Sequence, residues 1–165
     1  MIFFYTSFSA SEGETEGALI RTIVEHLLAC NPETDIFIFA ALPYDTVIGC
    51  AIFSRLIYSD DARNVFILSP MAIHPDHQNN GMGQTLLRES IAALRNHDVD
   101  ILMTYGDPNY YEKIGFSPVT HQVAPPPFPL SMPIGWIAQS LHGSGIPPLQ
   151  GSCTCVSALN NPAIW

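Results

Sequence analysis

The chain has 165 residues, 47% of them hydrophobic, and this size and composition predict one domain over residues 1–165 with a substantial core. Its formal net charge is −9, with only six Lys and Arg, which argues against a nucleic-acid partner because neutralising phosphates requires clustered basic residues. No apolar run reaches the roughly 18 residues of a membrane span, and the first residues lack the features of a signal peptide, so we expect a cytoplasmic protein with no membrane partner.

The first part of the chain is predicted to form a strand and then a helix. Residues 2–8 are apolar and aromatic, which favours a β-strand. The sequence Ser11-Glu12-Gly13-Glu14 has the pattern of a capping box, and apolar residues recur at helical spacing after it. We therefore expect an amphipathic helix over residues 11–29, ended by Asn31-Pro32.

The next segments are predicted to form a hairpin and a further strand. Residues 35–42 and 46–58 are apolar and are separated by a turn sequence, Pro43-Tyr44-Asp45. Residues 64–73 predict another strand, the fourth if residues 2–8 are counted. Within it Ser69-Pro70 is a conflict, because proline lacks the N–H that a central strand needs and is confined to edges, ends and bulges.

The second half of the chain is predicted to alternate helices and strands before a proline-rich end. Residues 83–96 predict a helix whose apolar stripe covers a face of the sheet. Residues 99–104 predict a buried parallel strand, residues 109–114 a short helix, and residues 116–119 the start of another strand. Residues 124–133 are expected to be a stiff extended loop and residues 143–150 a Gly/Pro-rich one. Residues 134–141 fit a helical turn or a strand, and residues 151–159 predict the last strand.

The four cysteines are expected to be reduced residues of the core or of strands. They lie on apolar segments with no CxxC pair or nearby histidine set, so no metal site is predicted. These cysteines are Cys30, Cys50, Cys153 and Cys155.

The most informative stretch is a turn with two glycines between a strand and a helix. The first turn of a helix has N–H groups without intrahelical partners and a partly positive end, so it can bind a pyrophosphate. Glycines at 81 and 83 allow a close approach and unusual backbone angles. On its own, such a pair is equally consistent with a plain tight turn.

Two motifs, in the right order, resemble those of the GCN5-related N-acetyltransferases (GNAT). Residues 71–87 are similar to the acetyl-CoA-binding motif, whose core is [QR]-x-x-G-x-[GA], and residues 110–116 are similar to the "xYEKxGF" segment. Residues 106–111 and 157–165 resemble the bacterial YhbS-like group. The resemblance implies an α/β fold: a mixed, mostly antiparallel twisted sheet with splayed central strands, flanked by helices. It covers residues 2–119 well and places the core motifs in residues 64–119, with a variable Pro-rich part in residues 120–165.

The resemblance also implies a site for acetyl-CoA as cosubstrate. A bulge in the strand 64–73 would free backbone groups to pair with the pantetheine arm, and Tyr111 would protonate the departing thiolate. An oxyanion would be met by the N–H of Ile73 or Met71. Tyr111 is otherwise explained as a packed aromatic residue, and Tyr110 is expected in the core. The implied cofactor-binding residues are Met71, Ala72, Ile73, Gln78, Asn79, Asn80, Gly81, Met82, Gly83, Gln84 and Tyr111.

The sequence leaves the general base open. His74 is a candidate because histidine is a common general base, but the family's "HPD" segment usually serves the turn. Asp107 follows the strand 99–104 and is equally explained as a helix cap. Glu25 and His26 are further candidates, with an exposed helix face as the preferred reading, and a water relay remains open. The glycine loop itself has Asn79 at a position often held by glycine in the family and Asn80 at one that is often basic, so the loop lacks a cation for phosphate.

The function that the resemblance implies is N-acetyl transfer from acetyl-CoA to a primary amine by direct attack in a ternary complex. The acidic composition favours a small cationic acceptor, although acidity also serves solubility alone. The alternatives are a catalytically silent sensor of acetyl-CoA or a metabolite, and an acetyltransferase of protein amines. An open groove beside the loop 125–133 would favour protein amines. Exposed edge strands near the C-terminus make a homodimer an expectation.

Overall fold

The computed structural model describes residues 2–30 and 33–165. The described helices are α1 (Ile2–Glu12), α2 (Glu14–Cys30), α3 (Met82–Arg95) and α4 (Pro108–Tyr111). The described strands are β1 (Ile36–Ala41), β2 (Gly49–Tyr58), β3 (Val65–Ile73), β4 (Ile101–Tyr105), β5 (Ser117–Pro118), β6 (Trp136–Ser140) and β7 (Cys153–Cys155). None of the described helices is long and apolar enough to cross a membrane.

The seven strands form one mixed sheet with helices on both faces. The strand order is β1-β2-β3-β4-β6-β5, and β7 adds to β2. The pair β3–β4 is parallel and the other described pairs are antiparallel. The predicted fold class, a mixed and mostly antiparallel sheet flanked by helices, is confirmed.

The core has two layers because successive residues of a strand point to opposite faces of the sheet. On β2, Ile52 packs with the layer under α1 and α2, whereas its neighbour Phe53 packs with the layer under α3. The predicted stripe of α3, which includes Leu87 and Leu94, is buried in that second layer. Helix α3 therefore covers one face of the sheet, as its sequence predicted.

The prediction for the N-terminal segment is wrong. Residues 2–8 belong to helix α1 and are not a strand. A short, uniformly apolar run carries no periodicity that separates a buried strand from a buried helix. Packing decides here, because Phe4 and Ser7 are buried and α1 lies along α2.

The predicted capping box is also wrong. Ser11 lies inside the last turn of α1, where its hydroxyl donates to the Ser7 carbonyl at 3.2 Å. The break between the two helices falls at Gly13, whose φ of 96° lies in the left-handed region. The predicted helix end at Asn31-Pro32 lies outside the described residues.

The predicted elements from residue 35 onward are found with shifted ends. The predicted hairpin is β1–β2. The segment 134–141, for which the sequence allowed a helical turn or a strand, contains a strand, β6. The last predicted strand is shorter than expected. Of residues 151–159, only Cys153–Cys155 form a strand, which pairs with β2. A 3-10 turn, Ser157–Leu159, follows. Cys50, Cys153 and Cys155 are free thiols, as predicted, and burial raises the pKa of Cys50 to about 11.

Helices α1 and α2 cross closely at Gly17. A Cβ atom built there would lie 2.9 Å from the Tyr5 carbonyl oxygen and 3.0 Å from the Ser9 backbone nitrogen, both on α1. These are backbone atoms, so the two helices would have to separate to accept a side chain. The hairpin α1–α2 therefore depends on a glycine at this position.

We expect Gly17→Ala to destabilise the protein by about 1–3 kcal/mol, because overpacking outweighs the gain in helix propensity. The measurement is urea unfolding followed by circular dichroism. The control is Ala18→Gly at the next, exposed position, which should cost about 1 kcal/mol through propensity alone. A Gly17→Ala protein more stable than the wild type would disprove the close crossing.

Candidate active site

Strands β3 and β4 pair over only part of their length. Their parallel register joins residues 65–68 to residues 101–104 and ends there. On its other side, β3 shifts register with β2, from Phe53 opposite Leu68 to Ala51 opposite Met71. Strand β3 thus has one residue more than β2 over this stretch, at Ser69-Pro70. The predicted bulge is confirmed, and beyond it β3 no longer pairs with β4.

The bulge leaves peptide groups of β3 facing the opened side. The His74 N–H donates to the Ile48 carbonyl at 2.8 Å, which marks a hydrogen-bonded pair with β2. Because bonded and non-bonded pairs alternate in an antiparallel ladder, the peptide groups of Met71 and Ile73 point away from β2. The Ile73 carbonyl accepts from the Gln78 side-chain amide at 2.9 Å. The sequence predicted the backbone groups of Met71 and Ile73 to be free; both residues face the opened side, but the Ile73 carbonyl already has the Gln78 amide as one partner.

The start of α3 is open to a ligand. Gly81 precedes the helix with φ 84°, a left-handed conformation that favours glycine. The Asn80 side chain accepts from the Met82 N–H at 3.1 Å. The N–H groups of Gly83 and Gln84 are in the first turn, where a helix offers them no partner, and no acidic residue lies in that turn.

A cavity of about 520 Å³ lies in front of this helix end, and we call it the glycine-loop cavity. It brings together ten of the eleven residues that the sequence predicted to bind the cofactor; Asn80 is not in its lining and instead accepts from the Met82 N–H. Its lining residues are Met71, Ala72, Ile73, Gln78, Asn79, Gly81, Met82, Gly83, Gln84, Tyr110, Tyr111 and Lys113.

Lys113 supplies the cation that the glycine loop itself lacks. It is the single lysine of the chain, and it lines the glycine-loop cavity from the turn that follows α4. The sequence reasoning missed it because it searched for a basic residue within the loop. The signal was present in the "YEK" segment, where Lys113 follows Tyr111 by two positions.

A second cavity, of about 450 Å³, lies on the other side of the gap between β3 and β4. We call it the acidic cavity because Glu12, Glu16 and Asp107 line it. Among its lining residues, all from the described ranges 2–30 and 33–165, there is no Lys, Arg or His. Its other lining residues are Phe8, Ile20, Ile67, Leu68, Ser69, Pro70, Met71, Thr104, Tyr105, Gly106, Tyr110, Tyr111, Leu159, Ile164 and Trp165.

Tyr111 lies where the two cavities meet. Its ring packs against Phe116, with centroids 5.7 Å apart, and so close to Gly106 that a Cβ there would lie 2.8 Å from the ring. Burial raises the pKa of Tyr111 to about 12, and the Thr104 hydroxyl opposes this rise. The phenol is therefore protonated at neutral pH and can act as a proton donor.

Tyr110 also faces the site, although the sequence reasoning expected it in the core. Its side chain is half-buried and lines both cavities. A Cβ added at Gly83 would overlap the Tyr110 hydroxyl, so this phenol lies against the start of α3. Burial raises the pKa of Tyr110. Tyr110 and Tyr111 are stacked edge to face with centroids 5.1 Å apart, and a third phenol, Tyr105, lines the acidic cavity.

Of the candidate bases, Asp107 lies at the site. It lines the acidic cavity and also caps α4, where its Oδ1 accepts from the Asn109 N–H at 3.0 Å. His74 instead accepts from the Asp76 N–H through Nδ1. Glu25 accepts from Arg21 at 2.8 Å on the outer face of α2, and the neighbouring His26 is exposed.

The sequence reasoning missed the two carboxylates that the helical hairpin contributes. The predicted capping box included Glu12, and no role was assigned to Glu16. Both line the acidic cavity because α1 is a helix that ends at Glu12 and α2 begins at Glu14, which brings the junction of the two helices to the gap. No group of three or more His, Cys, Asp or Glu able to hold a metal ion occurs in the described part of the chain.

Comparisons with known proteins agree with this geometry. The model of the acetyltransferase (GNAT) domain matches residues 33–118. An uncharacterized N-acetyltransferase of Escherichia coli (strain K12), YjhQ, is 31% identical over 99 residues, which are 57% of this chain and 55% of that protein. The aligned part of the chain thus spans about half the length of that relative.

Solved structures show the same fold. A GNAT family acetyltransferase from Brucella melitensis, in complex with acetyl-CoA, superimposes with a TM-score of 0.69 at 22% identity, covering 96% of this chain and 88% of that one. The GNAT family N-acetyltransferase YhbS from Escherichia coli, in complex with CoA, gives 0.67 at 18% identity, covering 94% and 83%. Because the domain model matches more than half of the sequence, including both motifs, the chain belongs to the GNAT acetyltransferase family.

Proposed function

We propose that the protein transfers the acetyl group of acetyl-CoA to the primary amine of a small cationic molecule. The observation that carries this proposal is that two cavities of different character meet at Met71, Tyr110 and Tyr111, beside the gap between β3 and β4. One can hold an anionic cofactor, and the other can hold a cationic acceptor. Their junction is where the two substrates would react.

The glycine-loop cavity has the groups that CoA requires. The N–H groups at the start of α3 and the ammonium of Lys113 can bind the phosphates. The outward peptide groups of Met71 and Ile73 can pair with the amide groups of the pantetheine arm, as an added strand would. The complex of the Brucella melitensis structure with acetyl-CoA supports this choice of cofactor.

The reaction that fits this junction is direct attack in a ternary complex. The acceptor nitrogen must lose a proton before it attacks the thioester carbon; a carboxylate of the acidic cavity or a water relay takes that proton. A backbone N–H of Met71 or Ile73 stabilises the oxyanion. The C–N bond forms, the C–S bond breaks, and Tyr111 donates a proton to the departing CoA thiolate. The second proton of the attacking nitrogen leaves as the amide forms and returns through water to the Tyr111 phenolate. No covalent enzyme intermediate is needed.

The three carboxylates select the charge of the acceptor. Glu12, Glu16 and Asp107 line a cavity that has no basic residue in its described lining. An ammonium ion gains Coulomb energy from each of them, whereas an anionic molecule is repelled. The acceptor is therefore a cation in its resting state and reacts as the neutral amine.

The experiment that tests this function measures thiol release from acetyl-CoA with cationic, neutral and anionic primary amines. We expect turnover with the cations, and we expect Glu12→Gln/Glu16→Gln to raise their KM about three- to tenfold, because each lost ion pair is partly screened by solvent. The control, Glu14→Gln/Glu89→Gln, removes the same charge from exposed positions on α2 and α3 and should leave KM within twofold.

Two results would contradict the proposal. Equal turnover of anionic and cationic amines would show that the carboxylates do not select the charge of the acceptor. Binding of acetyl-CoA without turnover of any of the amines would favour the catalytically silent sensor.

We expect Tyr111→Phe to lower kcat about 10²- to 10³-fold, as the loss of a general acid does. The phenyl ring retains the packing against Gly106 and Phe116, so the affinity for acetyl-CoA and the stability should change little. Because the pKa of Tyr111 is about 12, the wild type should show no loss of kcat from this group below about pH 10.

The matched control is Tyr110→Phe, which removes the neighbouring phenol. It should change kcat less than Tyr111→Phe does. If Tyr110→Phe lowers kcat strongly and Tyr111→Phe does not, Tyr110 is the acid. If neither variant loses activity, neither of these two phenols takes part in the proton transfer.

A further inference from the structure

A third cavity opens beside the acidic cavity and is not explained by the binding of CoA. It measures about 770 Å³, and we call it the apolar groove. It shares Tyr105, Gly106 and Asp107 with the acidic cavity. Its walls also include Pro108, Glu112, Pro118, Ser131, Met132 and Ile134.

Hydrogen bonds fix one wall of this groove. The Tyr105 hydroxyl accepts from the Met132 N–H at 2.6 Å, so it can donate to the Ser131 hydroxyl at 2.8 Å. The Gly106 N–H donates to the Gly135 carbonyl at 3.0 Å. The segment 131–135, which includes the end of the proline-rich stretch 124–133, is thereby held against the end of β4. The groove is a built feature of the fold.

Two large apolar side chains remain exposed on that wall. Met132 is 64% exposed and Ile134 is 69% exposed, although their backbone is held in place. Covering them with an apolar group would remove this surface from water and stabilise the bound state. The neighbouring residues Pro108 and Pro118 add further apolar surface.

We propose that the apolar groove binds the hydrocarbon part of the acceptor, so that the substrate class is an amphipathic primary amine. This inference rests on the proposed function. Asp107 lines both the acidic cavity and the apolar groove and lies where they meet. An acceptor whose ammonium group is held by the carboxylates would extend its carbon chain from there into the groove. The groove's volume lies within the range of small-molecule sites, about 300–1,000 Å³. The acceptor is thus a cation at one end and apolar along the rest of its length.

The test compares n-alkylamines from butylamine to decylamine. We measure kcat/KM with acetyl-CoA, and the affinity of each amine for the CoA-loaded protein by calorimetry. In the wild type, each added methylene should raise kcat/KM and affinity about threefold to fourfold until the groove is filled. In Met132→Ser/Ile134→Ser this dependence should flatten, while butylamine is affected less than twofold.

The matched control is Leu28→Ser/Ile57→Ser, which replaces two other apolar residues that are 52% and 55% exposed. It should preserve the dependence on chain length. A wild-type protein that acetylates amines regardless of chain length would overturn the subsite while the proposed function stands. Tighter binding of long amines that depends on Met132 and Ile134, without any turnover, would support the subsite while the proposed function fails. If no amine binds, the subsite is overturned. Because the groove also lies beside the loop 125–133, where an open groove favours protein amines, turnover of a lysine-containing peptide in preference to every alkylamine would likewise overturn it.

Discussion

The parting of β3 from β4 is the constraint on which the site depends. A sheet pairs its strands as far as their backbones allow, and an extra residue on one strand disrupts the ladder and turns the strand. Here the extra residue is at Ser69-Pro70, and pairing with β4 stops at Leu68. The gap gives access from both sides, so the glycine-loop cavity and the acidic cavity meet inside it instead of being separated by a continuous sheet.

The elements around the gap place positive charge on one side of it and negative charge on the other. The positive end of helix α3 faces the glycine-loop cavity. Lys113, the single lysine of the chain, lines the same cavity and adds a positive charge there. The helical hairpin α1–α2 and the end of β4 supply carboxylates to the other side. An overall charge of −9 conceals this division. The anionic cofactor and the cationic acceptor would each meet a local field of opposite sign.

The sequence predicted the half of the site that is local in the chain. The bulge, the glycine loop and the start of α3 lie within residues 69–84, and proline and glycine there carry direct conformational information. Tyr111 was likewise found from a contiguous motif. The acidic cavity could not be predicted in this way, because Glu12 and Asp107 are far apart in sequence and meet only through tertiary packing.

The largest error in the fold has a related cause. Residues 2–8 contain residues that favour strands, but intrinsic strand preference reflects burial on a pleated surface and is easily overridden by context. Their packing against α2, at the close approach of Gly17, determines the helix. Once α1 is a helix, Glu12 falls at its end and Glu16 at the start of the next one. The same correction therefore accounts for the missed carboxylates.

The measurement that tests the account most directly is calorimetric titration of acetyl-CoA into the wild type, Gly83→Val and Lys113→Ala. A side chain at position 83 would overlap the Tyr110 hydroxyl and approach Met71 Cε, 3.1 Å from the added Cβ. We predict binding by the wild type, weaker binding by Lys113→Ala, and none by Gly83→Val, with folding verified by circular dichroism. Equal binding by all three proteins, or no binding by the wild type, would contradict the assignment of the glycine-loop cavity to CoA.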